Sequence, residues 1–329
     1  MKIKTLLKIL GICLLWQPVN TCADTVDIRE WHVPWVNSQP GSPYVDGGGR
    51  VWFVGETDNY IANFSPETGE FNRYDLERRS GPRSLIVDGD RNIWYTAAQG
   101  RYIGMLNPGT GRVKKFEMPD RKAKEPHTLV FDSAGDIWFT VQKGNFVGTL
   151  LTGSNEVVLI SLPTKKSRPE GIVINSNDEP WFVATGSNKI MRVARKDMSL
   201  EEFSLPNEES RPRRLVTTSD NAVWYSDFAL GILGRYDPGS GAFTEWPMPG
   251  GADSKPLAMA VDRNDRIWIV ETGSALSRFV GFDTASGTFL TETDIPSGAG
   301  TVRHLFYYEP AGEIWFGTDS NYIGRAKVH

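Results

Sequence analysis

Cysteine is almost missing: Cys13 and Cys22 are the only two in 329 residues. Both fall in an N-terminal stretch that carries Lys2, Lys4 and Lys8, an apolar run over 9–16 and a small-residue site at Thr21-Cys22-Ala23. That pattern reads as a secretory signal peptide over 1–23, which places the mature chain, 24–329, outside the cytoplasm, secreted or periplasmic. Lipidation of Cys22 is the alternative, but Val19-Asn20-Thr21 matches such a signal poorly. Once cleaved, the chain has no thiol, which excludes disulfides, thiolate metal sites, a cysteine nucleophile and haem attachment.

Other absences narrow the function further. No later stretch keeps about 18 apolar residues together, so no membrane span is expected after the leader. Positive charge is not in excess. The formal charge is −4, and removing 1–23, which carries three lysines and no acid, takes it to −7. A mildly acidic exported protein is a poor partner for nucleic acid, whose binding depends on neutralising phosphates. There is no His-Glu-x-x-His, no phosphate-binding glycine loop, no Gly-x-Ser-x-Gly elbow and no dinucleotide fingerprint. No stretch reads as a long amphipathic helix.

What the chain has instead is a repeat. A Trp preceded by an aliphatic residue or proline recurs at Trp52, Trp94, Trp138, Trp181, Trp224, Trp268 and Trp315, with spacings of 42, 44, 43, 43, 44 and 47 residues. Periods in this range belong to propellers, solenoids or arrays. Each copy reads as four short strands. In the second, these are 83–88, 93–96, 102–106 and 113–118, separated by turns rich in Gly, Asn, Asp and Pro. Seven copies of four strands predict an all-β, single-domain, seven-bladed β-propeller, with the recurring Trp packed between blades. The last copy stops after its third strand. The missing fourth sits at the other end, Asp27 to Pro34, which matches endings such as Phe116-Glu117-Met118-Pro119. The N-terminal strand is therefore expected to complete the seventh blade, and a ring closed in this way suggests a monomer.

Strand direction puts the start of each inner strand at one mouth of the central channel. Read from the proline of each repeat, the residues after it are Tyr44, Arg83, His127, Glu170, Arg213, Leu257 and Arg303; those before it are Ser42, Gly81, Glu125, Arg168, Arg211, Lys255 and Thr301. This ring is basic in an acidic protein. Guanidiniums suit carboxylates and phosphates, so Tyr44, Arg83, Arg168, Glu170, Arg211, Arg213 and Arg303 are candidate ligand-binding residues for an anionic small molecule or protein partner. The alternative is that the arginines pair with acids such as Asp227 and Glu271 and simply close the mouth. Glu125 and His127 are candidate catalytic residues: a neutral His can act as a base, and a carboxylate beside it can tune it or hold a metal. A local polar contact is the other reading of that pair. His304 reads as packed or hydrogen-bonded, and Asn59, Asn145, Asn188 and Asn321 read as turn residues tolerating left-handed backbone.

The repeat Pro-x-x-(Leu/Ile), Ile-Trp-Phe-Thr, Asn-x-Ile-Gly-Arg closely resembles the virginiamycin B lyase (streptogramin lyase) family over all seven copies, roughly Asp27 to Val328. That resemblance implies magnesium-dependent C–O elimination opening a cyclic depsipeptide, with a His as base, a second His on the substrate and two Glu on the metal. Glu125-Pro126-His127 matches the family's Glu-Pro-His, and Tyr44 matches a substrate-site tyrosine. The match departs in three ways. Arg83 stands where a His belongs, Val141 stands where the second metal carboxylate belongs, and the triplet lies in the third copy rather than the last. Copy for copy, the lyase positions become Leu257, Thr301, Arg303 and Thr318. A rotated Mg²⁺ site on Glu125 and Glu170 is the remaining arrangement. The leading expectation is thus a lyase-like propeller binding an anion at its arginine-rich mouth, in which the elimination chemistry need not survive. The alternatives are the Mg-dependent lyase and, more distantly, a lactonase-like hydrolase.

Overall fold

The computed structural model describes residues 26–273 and 275–328. The leader, with Cys13 and Cys22, and the terminal His329 lie outside the described residues. Within them, 28 strands form seven four-stranded antiparallel sheets, each in simple up-and-down order except one. The exception is the seventh, in which Asp27–His32 pairs with Tyr322–Lys327, so the two ends of the chain share a sheet as expected. Strands of the second blade run Pro82–Val87, Ile93–Ala97, Tyr102–Asn107 and Arg112–Glu117, each within about a residue of the sequence reading. Two single-turn 3-10 segments, Ala252–Ser254 and Glu309–Ala311, are the helical elements among the described residues, and no helix there is long and apolar enough to cross a membrane.

The repeat motif has a physical reason at each place. The seven Trp side chains are at most 7% exposed, and each lies in a separate apolar cluster between its own blade and the next. Trp138, for example, packs with Ile172, Phe182 and Ala184 of blade four. Truncating such a residue costs about 3–5 kcal/mol. Four of the indoles donate to an Asp six residues earlier: Trp52 to Asp46 and Trp94 to Asp88 at 2.8 Å, Trp138 to Asp132 and Trp268 to Asp262 at 3.0 Å. The same Asp accepts backbone N–H groups of the turn that follows, as Asp132 does from Ala134 and Asp136. In blades two, three, five and seven the glycine of the third strand makes room for the aromatic ring after the Trp. A Cβ at Gly234 would lie 2.0 Å from the Tyr225 ring, and one at Gly324 2.2 Å from Phe316.

The asparagines at the third-strand starts are left-handed as expected, with φ of 51° at Asn59, 64° at Asn145, 59° at Asn188 and 72° at Asn321. They also tie blades together. The Asn145 amide donates to Leu162 O and Thr164 O, and its carbonyl oxygen accepts from Ser167 N. The hydroxyl of Ile-Trp-Phe-Thr is a second tie. Thr140 Oγ1 accepts from Thr128 N in its own blade at 3.3 Å and donates to Glu170 O of the next blade at 2.6 Å. In blades one to six the inner strand slips register near its first proline, so that two residues, as His127 and Thr128 in blade three, or one, Arg213 in blade five, leave the ladder. That slip builds the site.

Candidate functional site

The register of blade one corrects the sequence reading. Its leading proline is Pro40, which pairs with Gly55 as Pro82 pairs with Ala97. Gly41, not Tyr44, therefore holds the ring place after the proline, and Gln39, not Ser42, the place before it. Tyr44 stands three residues further along, opposite Trp52. Its ring packs 4.4 Å from Phe306, and burial raises its hydroxyl pKa. It belongs to the apolar packing of the inner strands, away from the mouth.

The ring after the prolines is thus Gly41, Arg83, His127, Glu170, Arg213, Leu257 and Arg303 in blade order. Of the predicted residues, the structure gathers Arg83, His127, Glu170, Arg213 and Arg303. Arg168 and Arg211 do not join them. Both are exposed on the rim, and the Arg211 guanidinium donates to its own loop, at Ser210 O and Glu208 O. Glu125 also stays at the rim, with φ +60°, paired with Lys143.

The acids that meet the arginines are not the two proposed from sequence. Asp227 is consumed by backbone, accepting from Arg211 N, Ala229 N and Leu230 N. Glu271 accepts from Gly250 N and pairs with Arg278. The arginines instead meet Glu56, Glu170 and Asp319. Arg83 lies 3.0 Å from Glu56, Arg303 Nη2 donates to Asp319 at 3.0 Å, and Arg213 makes an ion pair with Glu170 at 2.8 Å whose angle misses hydrogen-bond alignment. Gln142 donates to the other Glu170 oxygen at 2.7 Å.

The residue that sequence reasoning missed is Arg214. It follows Arg213, is back in the ladder opposite Ser226, and is 8% exposed. It crosses from blade five to blade seven, donating from Nε to Arg303 O and from Nη2 to His304 Nε2, both at 3.0 Å, and lies 3.5 Å from Glu170. Burial is the main cause that brings its pKa down to about 10, still charged at neutral pH. A guanidinium has only donors, so His304 Nε2 must be bare and its proton must sit on Nδ1. Burial, then Arg214, His127, Arg303 and Arg83, holds His304 well below the usual imidazole range. His127 is depressed in the same way by burial, Arg214, Arg83 and Arg213, while its Nδ1 shares a 2.9 Å hydrogen bond with Thr128 Oγ1. The mouth thus holds four guanidiniums, three carboxylates and two neutral imidazoles. His304, read from sequence as packed or hydrogen-bonded, is hydrogen-bonded.

Seven four-stranded blades around a channel with ionisable side chains at one mouth define a β-propeller with its candidate site on the channel axis. The profile of the virginiamycin B lyase family matches residues 18–279, most of the chain, and the protein belongs to that family. The virginiamycin B lyase of Staphylococcus aureus is similar in structure, with a TM-score of 0.83 at 23% identity, covering 92% of this chain and 100% of that one. A streptogramin B lyase gives 0.83 at 24% identity, covering 92% and 98%. The extracellular domain of a putative one-component system of B. thetaiotaomicron gives 0.67 at 14% identity over 88% of this chain and 39% of that chain. At these identities the likeness to the solved structures is one of fold. No curated protein matches the chain.

The family implies magnesium, and the donor set here fits it poorly. Glu125 is taken by Lys143, and Glu170 by Arg213, Arg214 and Gln142. Among the described residues, no group of three or more His, Cys, Asp or Glu side chains is placed to hold a metal ion. Copy for copy, Thr301, Leu257, Arg303 and Thr318 supply neither carboxylate nor imidazole.

Proposed function

We propose that this protein is an exported, virginiamycin B lyase-like propeller that binds an anionic group, of a small molecule or a partner, at the arginine-lined mouth of its channel. The observation that carries the reading is the excess of cations at the mouth, where the guanidiniums of Arg83, Arg213, Arg214 and Arg303 meet only the carboxylates of Glu56, Glu170 and Asp319. Burial is the first cause that holds both imidazoles neutral and the arginines come after it, so it is the surplus guanidinium that favours an anion there. Arg83 is about half-exposed and Arg213 and Arg303 about a third, so their guanidiniums are reachable from the top face. Arg214, by contrast, spans the channel below them and limits how deep a ligand descends. The body of the ligand meets neutral His127, Leu257 and Phe228, whose ring lies 5.5 Å from the Arg213 guanidinium. Cation–ring contacts of this kind leave room for a flat or apolar group beside the anion.

The second reading is the family's elimination, carried by His127 as a base. Its support is that His127 is already neutral, as a base must be. The donor set described above argues against a metal in that reaction, and no step through one is derived. A lactonase-like hydrolysis would use the same neutral His127 on water.

Two measurements on purified 24–329 separate these readings. Calorimetric titration with succinate and phosphate in the presence of a chelator should show saturable binding, lost in Arg83→Ala and Arg213→Ala. In parallel, a streptogramin B substrate with magnesium is followed by chromatography and mass spectrometry. Elimination gives a linear product of unchanged mass, and hydrolysis adds water. Turnover that disappears in His127→Ala and with chelator would overturn the binding reading in favour of a working lyase.

A further inference from the structure

The ring of residues at the mouth has one gap. Six of its seven places carry a side chain, and the seventh is Gly41. The gap is filled from above. Glu56, four residues after Trp52, lays its carboxylate over the Gly41 backbone: a Cβ there would lie 2.5 Å from Glu56 Oε1 and 3.3 Å from its carboxyl carbon. The other oxygen is 3.0 Å from Arg83 Nη1 of blade two. Only 8% of the Glu56 side chain is exposed. Arg303 of blade seven and Arg214 of blade five act on the same carboxylate, with Asp319 opposing them. One carboxylate thus sits against the Arg83 guanidinium and within the field of two more, and in this seat it occupies the space a Cβ on Gly41 would take.

We infer that the pocket over Gly41, walled by Arg83 with Arg303 and Arg214 near, is a carboxylate-binding subsite whose resident occupant is Glu56, and that an external carboxylate binds by taking its place. The inference rests on the anion-binding reading above and adds the chemical class and the mode of entry. Three features support exchange over a permanent structural pair. The resident side chain reaches the pocket from a turn, after the strand Val51–Gly55 has ended, so side-chain rotation alone moves it out. Burial raises the pKa of Glu56 although three arginines act to lower it, so its carboxylate is poorly solvated where it lies. A cleft adjoins it on the top face, lined by Gln39, Gly81, Arg83, Gln99 and Glu125, with a volume near 190 Å³, large enough to receive a displaced side chain or the body of a ligand.

The test uses three substitutions in the 24–329 protein with acetate, succinate and phosphate as probes, each variant first shown to be folded by circular dichroism. Glu56→Gln removes the charge and keeps the shape. Glu56→Ala empties the pocket. Gly41→Ala keeps the charge and pushes the carboxylate out of its seat. All three should bind acetate and succinate about tenfold tighter than the parent, the scale of one competing charge pair removed, whereas Glu156→Gln, an exposed acid in the third blade, should not change binding. Parent binding with unchanged affinity in Glu56→Gln and Gly41→Ala would overturn the exchange and leave the anion-binding reading standing. Tighter binding of phosphate than of either carboxylate in Glu56→Ala would overturn the carboxylate assignment. Absence of binding in the parent and in all three variants would overturn both.

Discussion

Acidification from about pH 7.5 to about pH 5.5 should cost this fold about 2.7 kcal/mol through two side chains. His127 and His304 are neutral in the folded state, each held well below the ordinary imidazole value of 6.5. In the unfolded chain each takes up a proton as the pH falls through that value, and in the folded chain neither does. The unfolded state therefore binds more protons, and stability is full above the unfolded pKa and lost as the pH drops below it. Each fully depressed ring contributes about 1.4 kcal/mol per pH unit, which integrates over this window to about 1.4 per ring and about 2.7 for the pair. The geometry gives the reason at His304: protonating Nε2 would set a new donor against Arg214 Nη2 at 3.0 Å. Glu56, whose pKa is raised, acts with the opposite sign, gaining its proton more readily in the folded state, so the measurement is best made in Glu56→Gln. Urea unfolding followed by Trp fluorescence at three pH values gives the slope. The double variant His127→Asn/His304→Gln should flatten it. A stability that is level or rises toward acid, or a slope untouched by the double variant, would refute the account of a cationic channel holding both rings neutral.

Two other predictions concern the frame. Arg214→Met should raise the His304 pKa toward its ordinary value, read by NMR titration of the ring protons, and lower stability by about 2 kcal/mol, since Glu170 keeps Arg213 and Gln142. Asp132→Ala removes the acceptor of the Trp138 indole, of two turn N–H groups and of Arg195 at once, and should cost about 3 kcal/mol in urea unfolding, more than an exposed Asp→Ala such as Asp90→Ala, which loses no partner.

The ring of blades was legible because its signals are local and repeated. Each Trp, the turn before it and the third strand that pairs with it lie within about 20 residues of one another, where propensity and alternation act. The offset in blade one arose from two prolines, Pro40 and Pro43, in one strand. The spacing decides between them: the leading proline stands 12 residues before the Trp in blades two to six, and 12 before Trp52 is Pro40. The arginine ring was partly visible, but its partners were not. Glu56 and Asp319 stand four residues after their Trp, one beyond Asp227 and Glu271, and only the turn geometry tells which place faces the channel. Arg214 could not be read at all. Its contacts depend on a side chain crossing to a blade some 90 residues away.

The shared seventh sheet also fixes the order in which the molecule is completed. Its inner three strands are made after the other six blades and its outer strand, Asp27–His32, before them. Six blades can assemble as synthesis proceeds, but they stand as an open arc. One flank of that arc presents Val45, Val51, Phe53 and Phe64 to water until Trp315 and Ile323 arrive to cover them, with Trp31 stacking on Trp315 from the opening strand. The arc is therefore the state most exposed to sticking and to pairing with another copy, and closing it requires strands about 300 residues apart, Asp27–His32 and Tyr322–Lys327, to meet.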